Sequence, residues 1–124
     1  LRDLRTEFGV TYLLISHDLA VVDYVCDEVA VMYLGRIVEQ APAGRLFDAP
    51  AHPYTRALID AVPKIGAGRR RDRSRLRGAV AQKMAEFRGC PFADRCPAAE
   101  QRCQSEAPTL REIGNGHMAS CHFA

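Results

Sequence analysis

Six consecutive apolar or β-branched residues, Val10-Thr11-Tyr12-Leu13-Leu14-Ile15, stop abruptly at the polar tripeptide Ser16-His17-Asp18. The run is too short for an ordinary helix and carries no polar alternation. It therefore predicts a strand buried on both faces, as in a parallel sheet. Such a strand needs neighbours at its edges and layers over its faces, which restricts the chain to α/β architectures. Upstream, Leu1, Leu4 and Phe8 recur at helical spacing, and Gly9 follows as a left-handed C-cap. Downstream, Leu19, Val22 and Cys26 share one helical face, with Asp18 placed to cap the helix. The first forty residues thus read as helix, buried strand, polar tripeptide, helix. In open α/β sheets, polar residues at the carboxyl end of a strand face the ligand crevice. An imidazole at that place is able to donate to a phosphate oxygen, so His17 is a candidate functional residue. The plainer reading of a lone histidine is a structural hydrogen bond.

Glu28 to Leu34 predicts a second strand, and Gly35-Arg36 a two-residue type II′ turn from which Ile37 to Gln40 return antiparallel. Pro53 opens a helix carrying Tyr54, Ala57, Leu58, Ala61 and Val62 on one face, and Pro63 stops it. Four zones result: an α/β piece over 1–40, a helical connection over 41–63, a basic linker over 64–88 and a Cys-rich tail over 89–124. The linker holds Arg69, Arg70, Arg71, Arg73, Arg75 and Arg77 without an interleaved aromatic residue for stacking on bases. It reads as a solvated, self-repelling connection. The whole chain has 17 basic and 15 acidic residues, a net charge of +2, which argues against a nucleic-acid partner. No apolar run approaches the ~18–20 residues of a membrane span, and no leader pattern opens the chain. The chain begins at Leu1 rather than Met and reads as part of a longer protein.

Of five cysteines, Cys26 stands apart and reads as a small buried hydrophobe. Cys90, Cys96, Cys103 and Cys121 fall within the tail, and Pro91 and Pro97 directly follow two of them. No C-x-x-C pair is present, so the commonest zinc-ribbon spacing is missing. Four thiolates this close still make a candidate metal or cluster site, which Arg88, Arg95 and Arg102 would help to neutralise. A tail with few apolar residues would gain most from such a staple as a structural device. Spacing and ligand softness leave an iron–sulfur cluster, a zinc ion (with His117 and His122 as alternative ligands) and ligand-free thiols all open.

The stretch TYLLISHDLAVV, Thr11 to Val22, resembles the segment around the switch histidine of ATP-binding-cassette ATPases. CDEVAVMYLGRIVEQ, Cys26 to Gln40, resembles the strands that close that fold. The string F-x-x-P-x-H-P-Y-T, Phe47 to Thr55, is similar to the oligopeptide and dipeptide importer branch, and Gly89 to His122 resembles that branch's C-terminal extension. The resemblance implies the C-terminal part of a P-loop NTPase core, an α/β fold, followed by a small Cys-rich extension. It implies that His17 contacts the γ-phosphate of ATP held with Mg²⁺, and that Asp18 is a cap. It also implies that Cys90, Cys96, Cys103 and Cys121 hold a four-iron, four-sulfur cluster.

The implied role is ATP hydrolysis coupled to uptake of di- or oligopeptides, or of related small solutes. The implied partners are two membrane-spanning permeases, a second ATP-binding subunit and, indirectly, an extracytoplasmic peptide-binding protein. The implied location is the cytoplasmic face of the membrane. The sequence contains no G-x-x-x-x-G-K-[ST] phosphate loop, signature motif or Mg²⁺-binding aspartate. By itself this stretch is therefore expected to bind ATP weakly or not at all, and to expose apolar surface that the rest of an ATPase would cover. A contrasting reading is a non-catalytic metal- or cluster-binding interaction module derived from such an ATPase.

Overall fold

In the computed structural model, residues 1–62 and 88–124 are described. Pro63 and the arginine run of the linker lie outside them. Arg2–Phe8 form α1, which Gly9 closes at φ 62, the left-handed cap that a residue without Cβ adopts freely. Leu19–Val25 form α2. Asp18 caps it, Oδ1 accepting from the N–H groups of Ala20 at 3.0 Å and Val21 at 3.2 Å.

Between the two helices the structure departs from the expected buried strand. Val10 to Ile15 pair with no strand among the described residues, and Leu13 and Ile15 are 92% and 91% exposed. No parallel neighbour lies beside it among the described residues. Every strand pairing among the described residues is antiparallel and lies further along the chain. An apolar segment without a sheet around it is left bare.

The sheet itself has four strands in the order β1-β2-β4-β3: Glu28–Tyr33, Arg36–Pro42, His117–Ala119 and Arg111–Gly114. Thus residues from both ends of the chain share one sheet. β1 alternates cleanly, burying Val29, Val31 and Tyr33 and exposing Glu28, Ala30 and Met32, as a sheet with one wet face requires. The β1–β2 turn sits one residue earlier than the Gly35-Arg36 expectation. Tyr33 pairs with Arg36, and the loop is Leu34-Gly35 with φ 46 and 77. Two positive φ values make it type I′, which matches strand twist at a cost of about 1–2 kcal/mol for the left-handed leucine.

The register slips where Val31 faces Glu39 but Met32 faces Ile37, leaving Val38 as an extra residue on β2. This bulge turns both Val38 and Glu39 inward. Two further helices follow: α3, Ala43–Asp48, which buries Ala43 and Leu46, and α4, Pro53–Ala61, with Pro53 in its first turn. The tail adds a 3₁₀ turn at Ala93–Arg95 and α5, Gln101–Ser105. The core comprises Val22, Val29, Val31, Tyr33, Val38, Ala41, Ala43, Leu46 and Phe92. Phe92 carries the tail into it, its ring centroid 5.2 Å from Tyr33 and 5.5 Å from Tyr54 in edge and tilted contacts. Cys26 is half-buried against this core.

Candidate functional site

The two Cys-Pro steps of the tail each build a turn. The Cys90 carbonyl accepts from Ala93 N–H at 3.0 Å, and the Cys96 carbonyl accepts from Ala99 N–H at 3.3 Å. Proline supplies the φ that the second position of such a turn needs. The turns direct backbone N–H groups at sulfur: Phe92 donates to the Cys90 thiol and Ala98 to that of Cys96. Cys103, on α5, is brought alongside because the Cys90 N–H donates to its carbonyl at 2.7 Å. This approach depends on Gly89. A Cβ there would stand 2.3 Å from the Cys103 carbonyl oxygen and 2.5 Å from the Gln104 backbone. Gly89→Ala is therefore expected to lower folding stability by about 1–3 kcal/mol, measured by urea denaturation. An unchanged midpoint would contradict the close approach.

Cys121 completes the set. Cys90, Cys96, Cys103 and Cys121 line one small cavity, together with His52, Pro53, Phe92, Ala93, Pro108, His122 and Phe123. Burial pushes the Cys90 thiol above its ordinary range; the Phe92 N–H offsets part of this, and Cys103, Cys121 and Cys96 add to the rise. Burial likewise raises Cys96, with the Ala98 N–H opposing and Cys121 and Cys103 adding. Four thiols around an apolar pocket are a soft donor set: burial and the mutual repulsion of thiolates oppose their ionisation, and bound positive charge would favour it.

A tetrahedral zinc draws its sulfurs to ~2.3 Å of one point. Among the described residues, no three His, Cys, Asp or Glu side chains are placed to hold a metal ion. His117 is not on the cavity at all. His122 borders it, and its Nε2 donates to the Glu106 carbonyl at 2.9 Å. Of the arginines expected to offset thiolate charge, Arg102 pairs with Glu106 at 2.9 Å on the surface, and the buried Nε of Arg95 has no partner among the described residues.

Behind the cavity lies a buried polar knot. Glu39, 0% exposed, faces the core from β2 because of the bulge. Its Oε1 accepts from Ala51 N–H and from His117 Nε2, both at 2.7 Å, and Oε2 accepts from His52 N–H at 2.9 Å. His117 reaches it diagonally across the β2–β4 pairing, in which Glu39 faces Ala119. His52 caps α4: its Nδ1 accepts from Tyr54 N–H at 3.1 Å. Burial lowers the His52 pKa to about 4, with Glu39 opposing and Arg56 adding to the fall.

A base depressed in the fold binds its proton only in the unfolded chain between the two values, so stability rises with pH across that window. Stability is expected to be full above the ordinary 6.5 and to fall by up to about 3 kcal/mol as pH drops to about 4. The difference in urea midpoint between wild type and His52→Asn at pH 7 and pH 4 isolates this contribution. No difference between the two pH values would refute it.

Sequence reasoning singled out neither Glu39 nor His52. The available signals were a carboxylate inside an apolar strand and a histidine directly before a helix-opening proline.

The Ser16-His17-Asp18 tripeptide lies apart, and none of its residues lines the cysteine cavity. Ser16 Oγ accepts from Asp18 N–H at 3.0 Å, tightening the entry to α2. His17 is exposed at the end of the bare apolar segment.

Fold and site together define a small mixed α/β unit whose tail gathers four thiols against an antiparallel sheet. The chain belongs to the family described as "Oligopeptide/dipeptide transporter, C-terminal region", which it matches over residues 38–103, a stretch containing Glu39, His52, Cys90, Cys96 and Cys103. It is 48% identical over 121 residues to a provisionally named peptide import ATP-binding protein of Brucella ovis, covering 98% of this chain and 38% of the relative. It is 45% identical to the di/tripeptide transport ATP-binding protein DppF of Pseudomonas aeruginosa, again covering 98% and 38%. To the dipeptide transport ATP-binding protein DppF of Haemophilus influenzae it is 40% identical, covering 96% and 36%. The chain thus spans little more than a third of the length of these relatives.

Proposed function

We propose that this chain forms the C-terminal part of the ATP-binding subunit of an ATP-binding-cassette importer for di- and oligopeptides or related small solutes. The observation that carries the reading is the alignment of 98% of the chain, His17 included, with proteins named for peptide transport and ATP binding. In this reading ATP with Mg²⁺ supplies the phosphoryl group transferred to water. His17 contributes an imidazole that donates to the γ-phosphate as charge develops there. Asp18 holds the start of α2 and so the direction from which His17 is presented. The exposed apolar segment around Leu13 and Ile15 packs into the remaining sheet of the ATPase.

The partners are two transmembrane permeases, a second ATP-binding subunit and an extracytoplasmic peptide-binding protein that delivers cargo. The subunit sits at the cytoplasmic face of the membrane, held by the permeases. Among the described residues no helix is long and apolar enough to cross a bilayer.

Cys90, Cys96, Cys103 and Cys121 would hold a four-iron, four-sulfur cluster as a structural staple. The all-sulfur donor set around one cavity supports a soft-metal staple, and the likeness of the tail to the importer branch's C-terminal extension favours a cluster over zinc.

The full-length protein reconstituted with its permeases in liposomes is expected to hydrolyse ATP faster when peptide-loaded binding protein is supplied. A preparation that neither binds Mg-ATP nor responds to peptide would overturn the transport reading. Anaerobically purified protein is expected to be brown, with about four iron and four sulfide per chain. Stoichiometric zinc in a colourless protein would overturn the cluster.

A further inference from the structure

The cysteine cavity has one side-chain donor that its turns and helices do not explain. His52 is 1% exposed and borders the cavity with the four thiols. Its Nδ1 accepts the Tyr54 N–H at 3.1 Å, so Nδ1 carries no proton and the ring proton lies on Nε2. Its backbone N–H is fixed separately on Glu39 Oε2 at 2.9 Å. Phe92 packs beside the ring at 5.7 Å between centroids. The imidazole is thus held in tautomer and main-chain position by two hydrogen bonds, neither of which uses Nε2. The other imidazole at the cavity, His122, has its Nε2 on the Glu106 carbonyl. The remaining wall is apolar: Pro53, Phe92, Ala93, Pro108 and Phe123.

We propose that His52 is a positioning residue for the sulfur-held group: its Nε2–H donates to a cysteine thiolate or inorganic sulfide of a cluster bound by Cys90, Cys96, Cys103 and Cys121. The proposal rests on the cluster reading given above. It adds a third N–H···S contact to those from the Phe92 and Ala98 backbones. Such donors withdraw charge from sulfur, favour the reduced cluster and raise its potential. Glu39 acts one step further back. By holding the His52 backbone it ties the β2 bulge to the cluster wall.

The test uses full-length protein purified anaerobically, with iron and sulfide assayed and the potential read by EPR-monitored titration. His52→Asn keeps a capping acceptor for Tyr54 N–H but removes the imidazole donor. Its cluster is expected to keep wild-type iron content. Its reduction equilibrium constant is expected to fall about tenfold, about 59 mV for a one-electron couple. Phe123→Leu, which alters the cavity wall and leaves the donor, is expected to match wild type. Equal potentials for wild type and His52→Asn with full clusters would overturn the assignment of His52 while leaving the cluster reading intact. A wild type without iron and sulfide would overturn both. Should His52→Asn lose its cluster, a His122→Gln protein labelled with ¹⁵N-histidine decides. Coupling of the reduced cluster to a histidine nitrogen supports the contact, and its absence overturns it.

Discussion

Glu39→Ala is expected to remove about 3–5 kcal/mol of folding stability, because it leaves three hydrogen-bond donors without their buried acceptor. The carboxylate is fully enclosed and accepts from three donors: Ala51 N–H, His52 N–H and His117 Nε2. Removing it strands two backbone donors and one imidazole away from water. Each stranded neutral donor costs about 1–3 kcal/mol, before any relaxation. Glu39→Gln keeps the shape but presents an amide donor where an oxygen accepted, so it relieves only part of the loss. His117→Ala acts from the other side by leaving the carboxylate under-compensated. Because the residues touch, the double variant Glu39→Ala/His117→Ala is expected to cost less than the sum of the singles, by about 0.5–3 kcal/mol. Urea denaturation followed by circular dichroism measures all four proteins. A loss below about 1 kcal/mol for Glu39→Ala would show that water or a repacked neighbour replaces the carboxylate, and that the knot is dispensable.

His17→Ala in the full-length protein is expected to slow ATP turnover by about 10²–10³-fold, the scale of losing one preorganised donor to developing charge. Mg-ATP affinity is expected to change little. Under the proposed role the His17 contribution grows in the transition state, whereas ground-state binding would be dominated by the phosphate loop and metal of the full-length protein. Steady-state hydrolysis beside equilibrium nucleotide binding separates the two. Parallel loss of both would make His17 a structural residue. A third comparison sharpens the result: Asp18→Ala removes the acceptor for Ala20 and Val21 N–H. It should cost about 1 kcal/mol of stability and far less turnover than His17→Ala.

Local chemistry was legible in the sequence wherever a single residue type settles a single dihedral or hydrogen bond. Gly9 closes α1, Asp18 caps α2, and Pro53 opens α4, each by a mechanism contained within four residues. The β1–β2 turn was legible as a hairpin but misplaced by one residue, because leucine at positive φ is disfavoured and Gly35-Arg36 offered a cheaper alternative. The Val10–Ile15 run shows the limit of an apolar pattern. The residues suit a doubly buried strand, but burial belongs to the neighbours, and none lies beside it among the described residues.

The meeting of four cysteines in one cavity could be suspected from their number and from the prolines that follow two of them. The device that brings Cys90 to Cys103, a glycine too crowded for any side chain, shows only in three dimensions. Glu39 was the least legible. Its sequence neighbours make it look like an outward-facing strand residue. The bulge that turns it inward, and the histidine that receives it, are set by distant parts of the chain.

The 78 positions that separate Glu39 from His117 also matter while the protein is being made. A ribosome adding about 5–20 residues per second delivers the histidine roughly 4–16 s after the glutamate. Through that interval the nascent hairpin holds an acid it cannot enclose, so its interior stays hydrated and its edge open. Completion of the sheet therefore waits on a strand made long after its first hairpin. A chain halted before His117–Ala119 lacks the strand against which β2 and the Glu39 carboxylate close.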